Sequence, residues 1–114
     1  MKILTICRAG LVRSIALADV LKLHFEPTDV LSLGIDFSSL PTQQMLFNWA
    51  DKIVIMESHY LEKISEVYKT KILICEVGPD TYGNPKNPEL INKVFNWTRE
   101  NAEKLGVKEH TKSL

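Results

Sequence analysis

Four short apolar runs alternate with segments whose apolar residues recur at helical spacing. The runs fall at residues 2–6, 30–35, 52–56 and 71–75. Each is brief and nearly continuous, which is typical of strands buried on both faces. Strands that alternate with helices favour a parallel sheet. The pattern therefore predicts an α/β fold, a three-layer sandwich with a four-stranded parallel sheet and helices on both faces.

The last helical segment has the clearest boundaries in the sequence. Asn87 is a favourable N-cap, Pro88 suits the first helical position, and Gly106 is a typical residue for ending a helix. The polar tail, residues 107–114, is expected to fray. The pattern thus predicts a long helix between Pro88 and Gly106 with little structure after it.

Three earlier helices are predicted between the strands. The first begins at Ser14 and ends before Glu26 and Pro27, since the residue before a proline avoids the helical region. The second begins near Pro41, and the third is capped by Ser58. The expected apolar faces of the second and third helices are Met45, Leu46, Trp49 and Ala50, and Leu61, Ile64, Val67 and Tyr68.

Length and charge limit the classes of function. The 114 residues suffice for one domain, predicted to be residues 1–114, and 14 basic side chains balance 14 acidic ones. A neutral balance argues against nucleic-acid and membrane partners. No signal peptide or membrane-spanning run is visible. Cys7 and Cys75 form no disulfide framework, so a reducing cytoplasm is the expected location.

Metal and cofactor chemistry is not indicated by the sequence. The two cysteines have no zinc-ligand spacing, and the three histidines are scattered through the chain at positions 24, 59 and 110. Each histidine is expected to be a surface residue. We therefore expect a function that needs neither a metal ion nor an organic cofactor.

The candidate chemistry lies directly after the first predicted strand. There Cys7 precedes Arg13 by six positions, and Ser14 opens the following helix. A loop of this length can surround a tetrahedral oxyanion with backbone N–H groups and the positive end of the helix dipole. Arg13 would bind two anion oxygens, and Cys7 would lie beneath the anion as a thiolate. The residues expected to bind phosphate are Arg8, Ala9, Gly10, Leu11, Val12, Arg13 and Ser14.

This motif resembles that of the low-molecular-weight protein tyrosine phosphatases, Cys-x-Gly-Asn-x-Cys-Arg-Ser. The chain keeps the first cysteine, the arginine and the serine, as Cys7, Arg13 and Ser14. Ala9 replaces the glycine, and Gly10 replaces the asparagine. Val12 replaces the second cysteine, so protection of the nucleophile by a disulfide within the loop is not available to this chain.

The loop after the fourth strand is predicted to complete the site. In a parallel sheet this loop lies on the same edge as the loop that carries Cys7. The phosphatase family places its general acid there, in an Asp-Pro-Tyr-Tyr type of sequence, and Asp80 matches the acid. If Asp80 were only a turn residue, the acidic candidates near the strand ends would be Asp36, Glu57 and Glu76.

The walls of the substrate pocket are less complete than in the family. Tyr82 matches an aromatic two positions after the acid, and Phe37 is the aromatic residue nearest to a segment that is longer in the family. We expect both to line a relatively open pocket. Arg8 adds a positive charge that is either solvated or attracts an acidic substrate.

The resemblance implies a phosphatase in which Cys7 attacks phosphorus, Arg13 and the loop amides hold the phosphoryl oxygens, and Asp80 transfers a proton. The expected substrates are phosphorylated proteins or small aryl phosphates. An arsenate reductase of the same fold would need further resolving cysteines, and only Cys75 remains. A phosphocarrier domain would not need Arg13, and a phosphate-binding module without catalysis would not need both Cys7 and Asp80.

Overall fold

The structure, a computed structural model, describes residues 1–110. Two 3-10 segments, Ser58–Lys63 and Glu66–Lys71, accompany its strands and α-helices. In chain order the other elements are β1 (Lys2–Cys7), α1 (Arg13–His24), β2 (Phe25–Glu26), β3 (Asp29–Gly34), α2 (Leu40–Trp49), β4 (Lys52–Ile55), β5 (Ile72–Ile74), α3 (Pro88–Leu105) and β6 (Lys108–Glu109).

The central sheet has four parallel strands in the order β3-β1-β4-β5. Its register pairs Cys7 with Gly34 on one side of β1 and Ile6 with Ile55 on the other. The chain moves from β1 to β3 and then crosses to the opposite side of β1. The strand order therefore reverses next to the carboxyl end of β1, the position at which open α/β sheets bind ligands.

Helices cover both faces of this sheet, as the hydrophobic pattern predicts. Ile3 and Cys7 of β1 join the buried cluster formed with α1 and α3. Leu4 and Ile6 point the other way and pack in the cluster formed with α2 and the 3-10 segments. Successive strand residues thus enter two separate cores, which is why the strand is apolar throughout. The predicted three-layer α/β sandwich with a four-stranded parallel sheet is confirmed.

The boundaries of α3 also agree with the sequence. The side-chain oxygen of Asn87 accepts hydrogen bonds from the backbone N–H groups of Glu89 and Leu90, at 2.9 and 3.3 Å. Pro88 is the first residue of the helix, and Gly106 ends it in the left-handed conformation with φ of 75°. Both ends are therefore set by local capping chemistry.

The predicted third α-helix is wrong. Residues 58–71 form two 3-10 segments, between which Ile64 has an extended backbone. Ser58 lies inside the first segment, whose N-cap is Glu57. Val67, expected on the apolar face, is 75% exposed. A 3-10 helix rises about 2.0 Å per residue against 1.5 Å in an α-helix, so it carries the chain further from β4 to β5.

Two smaller expectations are also corrected. On the face predicted for α2, Ala50 is buried and Leu46 and Trp49 pack against the core, but Met45 is exposed. The buried residues within the helix itself are Gln43 and Phe47. After α3, Val107 is buried and β6 pairs with β2 in a short antiparallel ladder. The predicted fraying is therefore wrong for 107–110, and residues 111–114 lie outside the described part. No helix within residues 1–110 is both long and apolar enough to cross a bilayer.

Candidate active site

Cys7 lies at the carboxyl end of β1, at the start of the loop that we call the anion loop (residues 7–14). Its Sγ lies 3.1 Å from Ser14 Oγ and accepts a hydrogen bond from the backbone N–H of Gly10 at 3.2 Å. The N–H of Gly10 donates to the sulfur, and the hydroxyl of Ser14 can donate to it as well when Cys7 is a thiolate. The sulfur is thus held by a hydroxyl at the helix start and by a loop amide that points inward, the arrangement an anion loop requires.

The backbone of the anion loop packs directly against the end of β3. Gly10 has φ of 73°, and a Cβ added there would lie 2.7 Å from the backbone nitrogen of Gly34. A Cβ on Gly34 would in turn lie 2.4 Å from the carbonyl of Ala9. Side chains at Gly10 and Gly34 are therefore excluded by space, and at Gly10 by conformation as well. This close approach fixes the turn of the loop.

Arg13 is buried, with 1% of its side chain exposed. One terminal nitrogen donates to Glu57 Oε2 at 2.9 Å, and the other donates to the carbonyl of Gly78 at 3.2 Å. Within residues 1–110 its Nε is the only buried side-chain nitrogen or oxygen without a hydrogen-bond partner. A buried, unpaired N–H of a guanidinium group is costly unless a ligand accepts from it. The Nε–H of Arg13 is thus available for an anion.

Glu57 and Tyr60 hold the guanidinium of Arg13. Tyr60 donates to the same Oε2 of Glu57 at 2.7 Å. Burial opposes the charge of Glu57, but the hydrogen bonds from Tyr60 and Arg13 outweigh it, and the pKa of Glu57 is lowered. Burial likewise disfavours the charge of Arg13, yet Glu57 raises its pKa. Burial, followed by the nearby Glu57, raises the pKa of Tyr60. The pair Arg13–Glu57 is therefore ionised, and Tyr60 is neutral.

Asp80 is brought to the same place by the loop after β5, which we call the acid loop (residues 76–86). Its Oδ1 lies 4.0 Å from the unpaired Nε of Arg13. The carboxyl group remains 37% exposed, so it borders both the buried arginine and solvent. The structure thus brings Asp80, which is distant in the sequence, to the loop that carries Cys7 and Arg13.

The two residues expected to line the pocket, Phe37 and Tyr82, differ in exposure and in position. Phe37 is 70% exposed, and the guanidinium of Arg8 lies 6.0 Å from its ring centre. Arg8 also pairs with Asp36 at 3.5 Å. Tyr82 is half-buried, and its hydroxyl donates to the carbonyl of Val77. The structure therefore places Phe37 beside the anion loop and Tyr82 within the acid loop, and their roles in a pocket stay predictions.

Sequence reasoning did not anticipate the contact between Glu57 and Arg13. The sequence indicates Glu57 only as an alternative acid near a strand end and gives no role to Tyr60. The one available signal was the position of Glu57 directly after β4, on the edge that carries the anion loop. Within residues 1–110, no three side chains of His, Cys, Asp or Glu cluster in a way that could hold a metal ion. Independence from metals and cofactors stays a prediction.

Comparison with known proteins finds similarity in structure. No protein-family model matches the chain. No curated protein matches it in sequence either. The YwlE arginine phosphatase from Geobacillus stearothermophilus is 16% identical, with a TM-score of 0.64 over 99% of each chain. Wzb from Vibrio vulnificus, solved with benzylphosphonate, is 18% identical, with a TM-score of 0.63 over 91% of this chain and 98% of its own.

Both solved proteins have the low-molecular-weight protein tyrosine phosphatase fold. The chain shares this fold along almost its whole length. The fold implied by the Cys-x5-Arg-Ser resemblance is thus confirmed.

Proposed function

On the fold shared with these two proteins, we propose that the chain is a cysteine-dependent phosphatase that hydrolyses aryl phosphate monoesters through a phosphocysteine intermediate. The observation that carries the proposal is the environment of Arg13. Its guanidinium is buried between the two loops, and its unpaired Nε lies 4.0 Å from Asp80. A phosphoryl group above Cys7 supplies the missing acceptor.

In the first step the thiolate of Cys7 attacks phosphorus. An S–P bond forms while the bond between phosphorus and the ester oxygen breaks, and Asp80 gives its proton to that oxygen. Ser14 and the N–H of Gly10 already contact the sulfur. Arg13 and the loop amides stabilise the negative charge on the transferring oxygens. The products are phosphocysteine and a free phenol or alcohol.

In the second step water hydrolyses the phosphocysteine. Asp80, now a carboxylate, takes a proton from the water as its oxygen bonds to phosphorus and the S–P bond breaks. The products are inorganic phosphate and the Cys7 thiolate, which restores the starting state. The same carboxyl group therefore serves as acid and then as base, and no metal ion takes part in either step.

The surroundings of Cys75 argue against arsenate reduction. Cys75 directly follows β5 and is fully buried in the core, and burial raises the pKa of its thiol to about 12. A resolving cysteine has to reach the adduct as a thiolate, so a buried thiol of this kind is unsuited to it. Cys75→Ala is therefore expected to leave phosphatase activity largely unchanged.

Aryl phosphates are favoured as the substrate class for two reasons. The phosphonate bound to Wzb carries a benzyl group, so the shared fold admits an aromatic ring next to the phosphoryl group. In this chain the exposed Leu11 of the anion loop and the exposed Phe37 beside that loop supply apolar surface. A phosphotyrosine side chain or a small aryl phosphate would bury its ring against such surface.

The proposal is tested with a panel of phosphotyrosine, phosphoserine and phosphoarginine peptides together with small aryl phosphates. We expect hydrolysis of the aryl esters, with phosphoserine peptides the poorest substrates. Cys7→Ser should abolish turnover and still bind vanadate, because the anion loop keeps its shape. Hydrolysis by Cys7→Ser at the wild-type rate, or no hydrolysis of any aryl ester by the wild-type protein, would overturn the proposal.

A further inference from the structure

Three side chains attach the acid loop to the beginning of α3. The hydroxyl of Tyr82 donates to the carbonyl of Val77, five residues earlier, and so closes the loop on itself. Lys93 donates to the same carbonyl at 3.4 Å and to the hydroxyl of Tyr82 at 2.8 Å. The carbonyl that precedes Gly78 is thus held by two donors, one from the loop and one from the helix.

Lys93 is itself held on α3. Its Nζ lies 3.1 Å from Glu89 Oε2, one turn earlier, and 5.2 Å from the centre of the Tyr82 ring. These contacts occupy the ammonium group with a carboxylate, an aromatic face and two oxygens of the loop. A side chain held at so many points fixes the distance between helix and loop.

Asn87 adds a second attachment. Its oxygen caps α3, and its side-chain N–H donates to the carbonyl of Tyr82 at 2.9 Å. One side chain therefore both begins the helix and fixes the end of the loop. We call the set Tyr82, Asn87 and Lys93 the loop anchor.

Asp80 lies between the two attachment points of the loop anchor, Val77 and Tyr82. On the other side of the loop, the carbonyl of Gly78 accepts from Arg13. Asp80 makes no hydrogen bond of its own with its side chain within residues 1–110, and its nearest charged partner is the Nε of Arg13 at 4.0 Å. The place of its carboxyl group is therefore determined by the backbone of the loop.

We propose that Tyr82 and Lys93 are positioning residues for Asp80, through which α3 holds the acid above the anion loop. This inference rests on the proposed phosphatase function. It assigns to the hydroxyl of Tyr82 a task distinct from that of the ring, which was expected to line the pocket. Tyr82→Phe separates the two, because it keeps the ring and removes the hydroxyl.

The experiment compares phenyl phosphate with 4-nitrophenyl phosphate. Phenol has a pKa near 10 and leaves poorly without a proton, whereas the nitrophenol is more acidic and needs less help. The ratio of the two kcat/KM values therefore reports how well Asp80 delivers its proton. The value of kcat/KM depends on the steps up to the formation of phosphocysteine. Asp80 acts as an acid in these steps.

We expect Tyr82→Phe and Lys93→Met each to lose about tenfold more kcat/KM on phenyl phosphate than on the nitrophenyl ester, since a displaced acid transfers its proton less well. Inhibition by vanadate should stay at the wild-type level, because the anion loop is unchanged. Lys104→Met is the matched control, since Lys104 is an exposed lysine near the other end of α3, and its ratio should equal that of the wild-type protein.

Equal losses on both esters, or no loss, in Tyr82→Phe and Lys93→Met would overturn the inference and leave the phosphatase function standing. A wild-type protein that hydrolyses neither ester would overturn the function and this inference with it. Lys93 is exposed on the helix, so Lys93→Met keeps the test valid if Tyr82→Phe unfolds.

Discussion

The two loops that form the candidate site are built in different ways. The anion loop is held by backbone contacts: the N–H of Ile35 donates to the carbonyl of Cys7 at 2.9 Å, and the N–H of Asp36 donates to that of Arg8 at 3.1 Å. The acid loop is held by side chains, from α3 on one side and from Arg13 on the other. The backbone of the anion loop is thus bonded to the end of β3, whereas the acid loop is attached to α3 and to Arg13.

This difference separates binding from proton transfer. A change in the anion loop alters the contacts to the phosphoryl oxygens, the group that every substrate presents. A change at Asp80 in the acid loop alters the proton transfers, to the leaving group in the first step and from water in the second. Substitutions in the two loops should therefore have different signatures, and each of the following predictions tests that contrast.

Among the substitutions that keep Cys7, the largest effect is expected in the acid loop, from Asp80→Asn. This change removes the transferable proton and keeps the size of the side chain. On a phosphotyrosine peptide we expect kcat/KM to fall by roughly a hundred- to ten-thousandfold, the usual range for general acid catalysis. The loss on 4-nitrophenyl phosphate should be clearly smaller, because that leaving group needs less protonation.

Steady-state kinetics on both substrates checks this prediction. An equal and small loss on the two would mean that Asp80 is only a turn residue. Asp36, Glu57 and Glu76 would then be the next acids to examine, although Glu57 already accepts from Arg13 and Tyr60, and Asp36 is paired with Arg8 and Lys63.

In the anion loop, Arg13→Lys should lower kcat/KM by about a hundredfold or more, the scale of removing one oriented donor to the transition state. Lysine keeps the charge but lacks the planar set of donors that bonds Glu57, Gly78 and an anion together. The loss should be similar for phosphotyrosine and nitrophenyl substrates. A near-normal Arg13→Lys enzyme, or a loss confined to the poorer leaving group, would contradict the account.

A stability comparison tests how the loops are built. Gly10 and Gly83 both have positive φ, but only at Gly10 would a Cβ meet backbone, the Gly34 nitrogen at 2.7 Å. Gly83→Ala should cost about 1–2 kcal/mol, the strain of the left-handed conformation. Gly10→Ala adds a steric clash that costs about 1–3 kcal/mol more. Urea unfolding measures both, and equal costs would show that the anion loop is not fixed by its contact with β3.

The same difference explains what could be predicted from the sequence. The anion loop is local: Cys7 and Gly10 lie between one strand and the helix that begins at Arg13, so their spacing together with this context is enough to predict a task. The caps of α3 are local as well, and Asn87 and Gly106 behave as their residue types favour. The alternation of apolar runs and helical segments was likewise enough to predict the order of layers.

Contacts between elements that are far apart in the chain have no recognisable pattern in the sequence. Glu57 reaches Arg13 across 44 positions and Lys93 reaches Tyr82 across 11, and neither spacing belongs to a recognisable pattern. Residues 58–71 carry apolar residues at helical spacing, yet between β4 and β5 they form two 3-10 segments. The buried Val107 depends on its packing in the core, which a polar tail does not reveal.

The central claim is that Cys7 carries the phosphoryl group between the two steps, and the most direct measurement is to trap that intermediate. Wild-type protein is mixed rapidly with 4-nitrophenyl phosphate, quenched in denaturant, digested and analysed by mass spectrometry. The account predicts one phosphoryl group on the peptide that contains Cys7, none in Cys7→Ser, and more of it in Asp80→Asn, because the second step loses its base. Turnover of this ester by an enzyme whose Cys7 peptide never carries phosphate would contradict the account.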